Sequence, residues 1–200
     1  MELNIHLFLL IYFLLYFGVA FVLKSILIWK RIGRNPIVLP KDDSTYGLVG
    51  LYFKITLVLI FLYVWFCSIS PWILENFLPI MSLRNSYIQE TGWLLLIIAF
   101  ILTVIAQSHI RDSWRIGIDT EEKTKLITTG LFWYSRNPIF LWMLLSLFGL
   151  FLVTPDGATL IFLIVGYILI QIQVRLEEEF LEKQHGEKYL KYKETAKRFL

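Results

Sequence analysis

The residues best placed to do chemistry fall in two short segments of this 200-residue chain. One is Leu126 to Phe140, LITTGLFWYSRNPIF, and the other is the run Glu177, Glu178 and Glu179. Each lies beside a strongly apolar stretch, where a bilayer makes bare polar backbone and charge costly unless protein or water satisfies them. Charge in such a place is a functional candidate by default. Pro138 suits the first turn of a helix because its missing donor would be unpaired there anyway. It also pushes Asn137 out of the helical region, and asparagine is a favoured cap. Ser135-Arg136-Asn137-Pro138 therefore reads as a capped helix start whose free donors and dipole suit an anionic group. An ordinary cap with an interfacial aromatic belt (Leu131, Phe132, Trp133, Tyr134) would use the same residues. Gly130 gives the backbone freedom to turn just before them.

Downstream, Gln171, Arg175, Glu178 and Glu182 follow i, i+4, i+7, i+11 spacing and share one helical face. Three consecutive glutamates repel unless cations compensate, and Arg175 is the nearest candidate. A solvated helix leaving the membrane, balanced by Lys183 and Lys188, would look the same. The loop from His109 to Arg136 carries Ser113 to Asp119 and the charged run Glu121 to Lys125, and it is either a surface strap or a wall of a site. His109 reads as interfacial, His185 as solvated, and His6 is uninformative. There is no HExxH, Gly-rich phosphate loop, GxSxG elbow or Cys/His cluster with metal spacing. Cys67 is the only cysteine, which excludes an intrachain disulfide and a thiolate metal site.

The elements that must position these residues are membrane helices. Hydrophobic residues make up 57% of the chain and mean hydropathy is +0.65, above the level of soluble domains. Apolar runs at Leu3–Trp29, Leu48–Ser70, Thr91–Ala106, Ile139–Val153 and Ala158–Val174 are long enough, or nearly so, to cross about 30 Å of hydrocarbon. Thr154-Pro155-Asp156-Gly157 separates the last two as a strong turn signal, giving a tight helical hairpin. The expected fold is an all-α integral membrane domain of about five helices with a loop and a helical tail. Residues 1–106 hold the first three helices, and residues 107–200 hold the loop, hairpin and tail. The first run carries Glu2, has no basic leader and is far longer than a signal h-region, so it is expected to stay as a helix.

Charge placement gives an orientation. Lys30, Arg31, Arg34 and Lys41 lie in the first loop, Arg111, Arg115, Lys123, Lys125 and Arg136 in the third, and seven more basic residues from Arg175 to Arg198 in the tail. The opposite face carries only Arg84. The positive-inside rule puts the amino terminus outside and the carboxyl terminus in the cytoplasm, with Lys24 and Lys54 snorkelling to that face. The basic surplus belongs to the membrane's cytoplasmic side and needs no nucleic-acid partner. Small size leans toward a bacterial plasma membrane.

The segments in order are Leu126-x-x-x-Gly130-Leu131-Phe132, Ser135-Arg136-Asn137-Pro138-Ile139-Phe140, Glu177-Glu178-x-x-Leu181 and Gly186-x-x-Tyr189-x-x-Tyr192. Together they resemble the carboxy-terminal signature of the isoprenylcysteine carboxyl methyltransferase and phospholipid methyltransferase superfamily. That pattern runs L-x-x-x-G-x-Y, R-H-P-x-Y, a membrane hairpin, then E-E-x-x-L and G-x-x-Y-x-x-Y. The resemblance covers residues from about Ser108 to Leu200. It implies an S-adenosyl-L-methionine-dependent methyltransferase with a five-helix core and a cytoplasmic cofactor pocket. By position, Arg136, Asn137, Pro138 and Phe140 stand in the R-H-P-x-Y slots, and Glu177 and Glu178 in the glutamate slots. Gly130, Leu131, Tyr134 and Tyr189 complete the implied cofactor-binding set. Two slots depart from the pattern: Asn137 replaces histidine and Phe140 replaces tyrosine. Asparagine donates a hydrogen bond but carries no proton at neutral pH.

The sulfonium already makes the methyl an electrophile, so the protein mainly positions the reactants. A carboxylate acceptor would itself be the nucleophile and need no base. Arg175 is the expected orienter of an anionic acceptor, with Arg111 and Arg115 as weaker candidates. The acceptor is expected to be a lipophilic small molecule or membrane lipid that enters sideways between helices. Two rivals remain: an NADPH-dependent membrane reductase, since some sterol reductases resemble this superfamily in their terminal helices, and a non-enzymatic membrane scaffold.

Overall fold

The computed structural model of the chain describes residues 5–33, 35–38, 44–70, 78–115, 117 and 125–200. Glu2, Arg34, Lys41, Asp119, Lys123 and the start of the charged run at Glu121 lie outside the described residues. Within them the chain is helical: α1 (Ile5–Ile32), α2 (Thr45–Ile69), α3 (Ser86–Ile110), α4 (Pro138–Val153), α5 (Gly157–His185) and α6 (Glu187–Thr195). The helices α1, α2, α3 and α5 are long and apolar enough to cross a membrane. The expected all-α membrane architecture is what the chain adopts. With 16 residues, α4 is about 24 Å long and short for a span on its own.

Each helix start has a local cause. Ser44 Oγ accepts from Gly47 N at 3.1 Å, and Asn85 Oδ1 accepts from Ile88 N at 3.0 Å. The Asn85 cap is why α3 begins at Ser86 rather than at Thr91, five residues earlier than the apolar run alone suggests. Asp156 and Thr159 form a reciprocal capping box at the start of α5. At the other end, α5 does not stop with its apolar run at Val174. It continues unbroken through the three glutamates to His185, and Gly186, at φ +55°, turns the chain into α6.

Packing relies on small residues and buried polar contacts, as expected where lipid removes the hydrophobic drive between helices. The helix α4 packs most closely on α3. A Cβ on Gly92 would lie 2.8 Å from Val153 N and 2.9 Å from the Gly149 carbonyl, so these backbones touch only because no side chain intervenes. Tyr12 OH donates to the Leu96 carbonyl at 2.9 Å, and the Tyr16 hydroxyl meets Thr103 Oγ1 at 3.1 Å, tying α1 to α3. The wide turn Gly18–Leu23 inside α1 presents the Ala20 carbonyl to Gln107 Nε2 at 2.8 Å. Leu9, Ile60, Val64, Leu96 and Leu150 fill the core, and Cys67 is buried among them. Leu14, Val58, Ile97 and Ile161, each about half exposed, form the outward surface that lipid would cover.

The expected turn at Thr154 to Gly157 is present and is pinned by three hydrogen bonds from two segments. Gly157 N donates to the Leu78 carbonyl at 3.1 Å, Ile80 N donates to the Pro155 carbonyl at 3.0 Å, and Tyr63 OH from α2 donates to Asp156 Oδ2. This fixes one end of the bundle. The chemistry-bearing segments gather at the other.

Candidate functional site

At that second end the chain closes on itself around one carboxylate. The tail after α6 runs back beside the start of α4: Arg136 N donates to the Lys197 carbonyl at 2.8 Å, and Ser135 Oγ donates to the Arg198 carbonyl at 3.3 Å. Glu178 lies beneath this contact, with its side chain 5% exposed. Its Oε1 accepts from Arg136 Nε and from Asn137 Nδ2, both at 3.0 Å. Its Oε2 accepts from Arg198 Nε at 3.0 Å and Nη2 at 2.8 Å. Two guanidinium groups and an amide therefore saturate one buried carboxylate, the arrangement that lets an ion be taken out of water. The Glu178 carboxylate in turn holds the Arg198 guanidinium above its ordinary value.

Arg136 does more than pair with Glu178. Its Nη1 donates to the carbonyls of Lys193 and Ala196, gripping the last turn of α6. Tyr189 and Tyr192 are buried beneath that turn with Ala196, and Tyr192 OH donates to the Phe132 carbonyl. Burial pushes the Tyr192 hydroxyl up to about 12, so it stays a proton donor at any working pH. Loop, helix start and tail thus form one polar junction.

Two sequence expectations are corrected here. Asn137 occupies the cap position of α4 in the chain, but its side chain does not cap the helix. It turns the opposite way, to Glu178 and to the Arg198 carbonyl at 3.2 Å. Arg175 does not compensate the glutamates either. It is exposed, and its Nη1 donates to the carbonyl and to Oε1 of Gln171 on its own helix, each at 2.7 Å. Arg136 and Arg198 neutralise Glu178, and Lys183 pairs with Glu179 at 2.6 Å on the surface.

Beside the junction is a cavity of about 500 Å³, within the range of small-molecule sites. Its walls come from α1, α2, the loop before α4, the start of α4 and the last turns of α5. Of the residues singled out in the sequence, Arg115, Arg136, Asn137, Phe140 and Glu177 line it, as do Leu126, Phe132, Ile139, Leu181 and Tyr192 of the same motifs. Glu177 is half-buried there and accepts from Gln173 Nε2 at 3.2 Å. Glu178 is the framework and Glu177 faces the space, a division that neighbouring residues on a helix make automatically because they point about 100° apart.

The other singled-out residues surround the cavity without lining it. Gly130 has φ +67°, and a Cβ there would lie 2.6 Å from the His109 ring, so both the turn and the packing require glycine. Leu131 N donates to His109 Nδ1 at 3.4 Å, which makes His109 a support for the loop rather than only an interfacial residue. Pro138 is buried at the first turn of α4, and Tyr189 is buried behind Arg136. Tyr134 is 68% exposed, and Arg111 is exposed as well; neither reaches the cavity wall. Sequence reasoning missed the α2 face, where Tyr46, Gly50, Phe53, Lys54 and Leu57 line the space at helical spacing. Trp114, in the loop read as a strap or a wall, lines the cavity with a buried indole Nε1–H that has no acceptor among the described residues.

The described lining is mostly apolar and aromatic, with Glu177 its only carboxylate and Lys54, Arg115, Lys125 and Arg136 its cations. Such a space suits an organic molecule bearing a few charged groups. A family model for phospholipid methyltransferase matches residues 88–188, half of the chain, and takes in the loop, α4 and the whole of α5. The chain belongs to the phospholipid methyltransferase family and is a membrane methyltransferase. No curated protein matches the chain.

Proposed function

We propose that the chain transfers a methyl group from S-adenosyl-L-methionine to a lipophilic acceptor, with both bound in the cavity beside the Glu178 junction. What supports this reading above all is that the family match and the cavity coincide: Phe132, Arg136, Phe140 and Glu177 belong to both. The lining has the chemistry the cofactor calls for. The Glu177 carboxylate suits its cationic groups, the rings of Phe132, Phe140 and Tyr192 offer faces for its base, and the orphan Trp114 indole donor awaits an acceptor.

When bound, the cofactor supplies a methyl group already activated by a sulfonium. The protein's share is then positioning and the exclusion of water. The Glu178 junction holds the Arg136–Phe140 wall in place before any ligand arrives, so binding energy is not spent on ordering it. The Asn137 amide, tied to Glu178, has no proton to give or take at neutral pH. The acceptor therefore brings its own nucleophile, and a prenylcysteine-like carboxylate or another ionised lipid group meets that condition. By the positive-inside rule the cavity faces the cytoplasm and the amino terminus lies outside, in a bacterial plasma membrane.

Calorimetry on purified protein tests the reading, with NADPH titrated in parallel. The expected result is saturable binding of S-adenosyl-L-methionine and none of NADPH. Absence of S-adenosyl-L-methionine binding would sink the proposal. Incubation of membranes with isotopically labelled cofactor, followed by mass spectrometry of lipids and small metabolites, then identifies the acceptor.

A further inference from the structure

The cation on α2 takes no part in the junction just described. Lys54 stands within a 25-residue helix that is otherwise strongly apolar, nine residues after its start and so about 14 Å along its axis. An ammonium on such a helix either snorkels to the nearer face or is met by a partner. The Lys54 side chain has no hydrogen-bond or ion-pair partner among the described residues.

Its position on the helix is specific. Residues three and four apart adjoin on a helix surface, so Lys54 has Gly50 and Leu57 on one side and Leu51 and Val58 on the other. Gly50 and Leu57 line the cavity. Leu51 and Val58 are 50% and 56% exposed and belong to the lipid-facing surface. Lys54 lines the cavity and is exposed itself. It therefore marks a border where the cavity meets the bilayer. Apolar seats adjoin it: Phe53 and Leu57 line both the main cavity and a smaller pocket of about 50 Å³ between α1, α2, α4 and α5. A cation at the lateral mouth with apolar surface beside it complements a molecule that has an anionic head and a hydrocarbon chain.

We propose that Lys54 is the residue that selects the acceptor by charge, taking the carboxylate or phosphate of an anionic amphiphile that enters the cavity from the bilayer past α2. The inference rests on the methyltransferase reading, in which a second molecule must share the cavity. Glu177 on α5 and Lys54 on α2 then divide the ligands by charge. The carboxylate serves the cationic cofactor and the ammonium serves the anionic acceptor.

The test uses the full chain in phosphatidylcholine nanodiscs, with tryptophan fluorescence as the readout because Trp114 lines the cavity. Dodecanoate, dodecyl phosphate and dodecanol are titrated as probes of equal chain length, and S-adenosyl-L-methionine separately. Lys54→Met is expected to weaken binding of at least one of the two anions about tenfold, the size of one charge-assisted hydrogen bond. Whichever anion responds identifies the head group, Lys54→Arg restores its binding, and dodecanol and the cofactor bind all variants alike. The proposal is overturned if Lys54→Met binds both anions as the wild type does, if dodecanol falls in parallel, or if the cofactor's affinity falls instead. Failure of the underlying methyltransferase reading shows separately, as loss of cofactor binding in the wild type.

Discussion

Helix α5 ends in a buried carboxylate at each extremity, and the two are used differently. Asp156, at its start, is fully buried: one oxygen is filled within its own cap, by Thr159 N at 2.9 Å and Oγ1 at 3.2 Å, and the other by the Tyr63 hydroxyl from α2. Glu178, near its end, gathers donors from residues 136, 137 and 198, far apart in the chain. The first closes a turn and borders neither cavity. The second joins a loop, a helix start and a tail, and leaves a cavity beside them. A carboxylate held by its own cap and one neighbouring helix makes a plug. One shared by a loop, a helix start and a tail makes a frame, and a frame can surround a ligand.

Substitutions can break this contrast, and the largest effect is expected at the frame. Glu178→Ala leaves the Arg136 guanidinium buried without its partner and should remove about 3–5 kcal/mol of stability. A fall in thermal midpoint well beyond that of Glu178→Gln would show it, and an unchanged midpoint would refute the frame. Asp156→Ala removes a cap worth about 0.5–2 kcal/mol and the carboxylate that accepts from the Tyr63 hydroxyl, for about 1 more. The midpoint should fall while cofactor affinity in the surviving folded protein stays the same; a matching loss of affinity would show that the plug also shapes the site.

Gly130→Ala forces a side chain at positive φ against the His109 ring and is expected to cost about 1–3 kcal/mol. Adding His109→Ala should recover part of it, and no recovery would place the whole penalty in the backbone. Glu177→Ala should leave the thermal midpoint within about 0.5 kcal/mol of wild type and weaken cofactor binding about tenfold, as for one hydrogen bond to a charged group. The reverse pattern would exchange the roles of the two adjacent glutamates. Arg175→Ala, at an exposed arginine that among the described residues bonds only within its own helix, should change either quantity by no more than about 0.5 kcal/mol. A large loss of activity there would restore it as an acceptor-binding residue.

What the sequence could reveal followed from how local each feature is. The hairpin turn announces itself because Pro155, Asp156 and Gly157 act within a few residues. Pro138 marks the start of α4 for the same reason. Glu177 and Glu178 were visible as a pair, yet nothing in their order says which one faces the cavity, since that depends on what packs against α5. Arg198 went unassigned because its partner lies twenty residues upstream, across a reversal at Gly186. Proximity in sequence made Arg175 the obvious counter-ion, and proximity misled. The cavity face of α2 escaped notice because, in a helix apolar all round, hydrophobic periodicity no longer separates the inner side from the outer.

The tail contact also has a consequence for the order in which the protein is made. The membrane helices are complete once α5 has left the ribosome, and they can insert and pair on their own terms. The carboxylate at position 178 meets its second guanidinium only after residue 198 has been added. Until then Glu178 in the newly inserted bundle lacks one of its two ion pairs. A chain interrupted between those two points would sit in the membrane with its helices in place and the junction beside the cavity half paired.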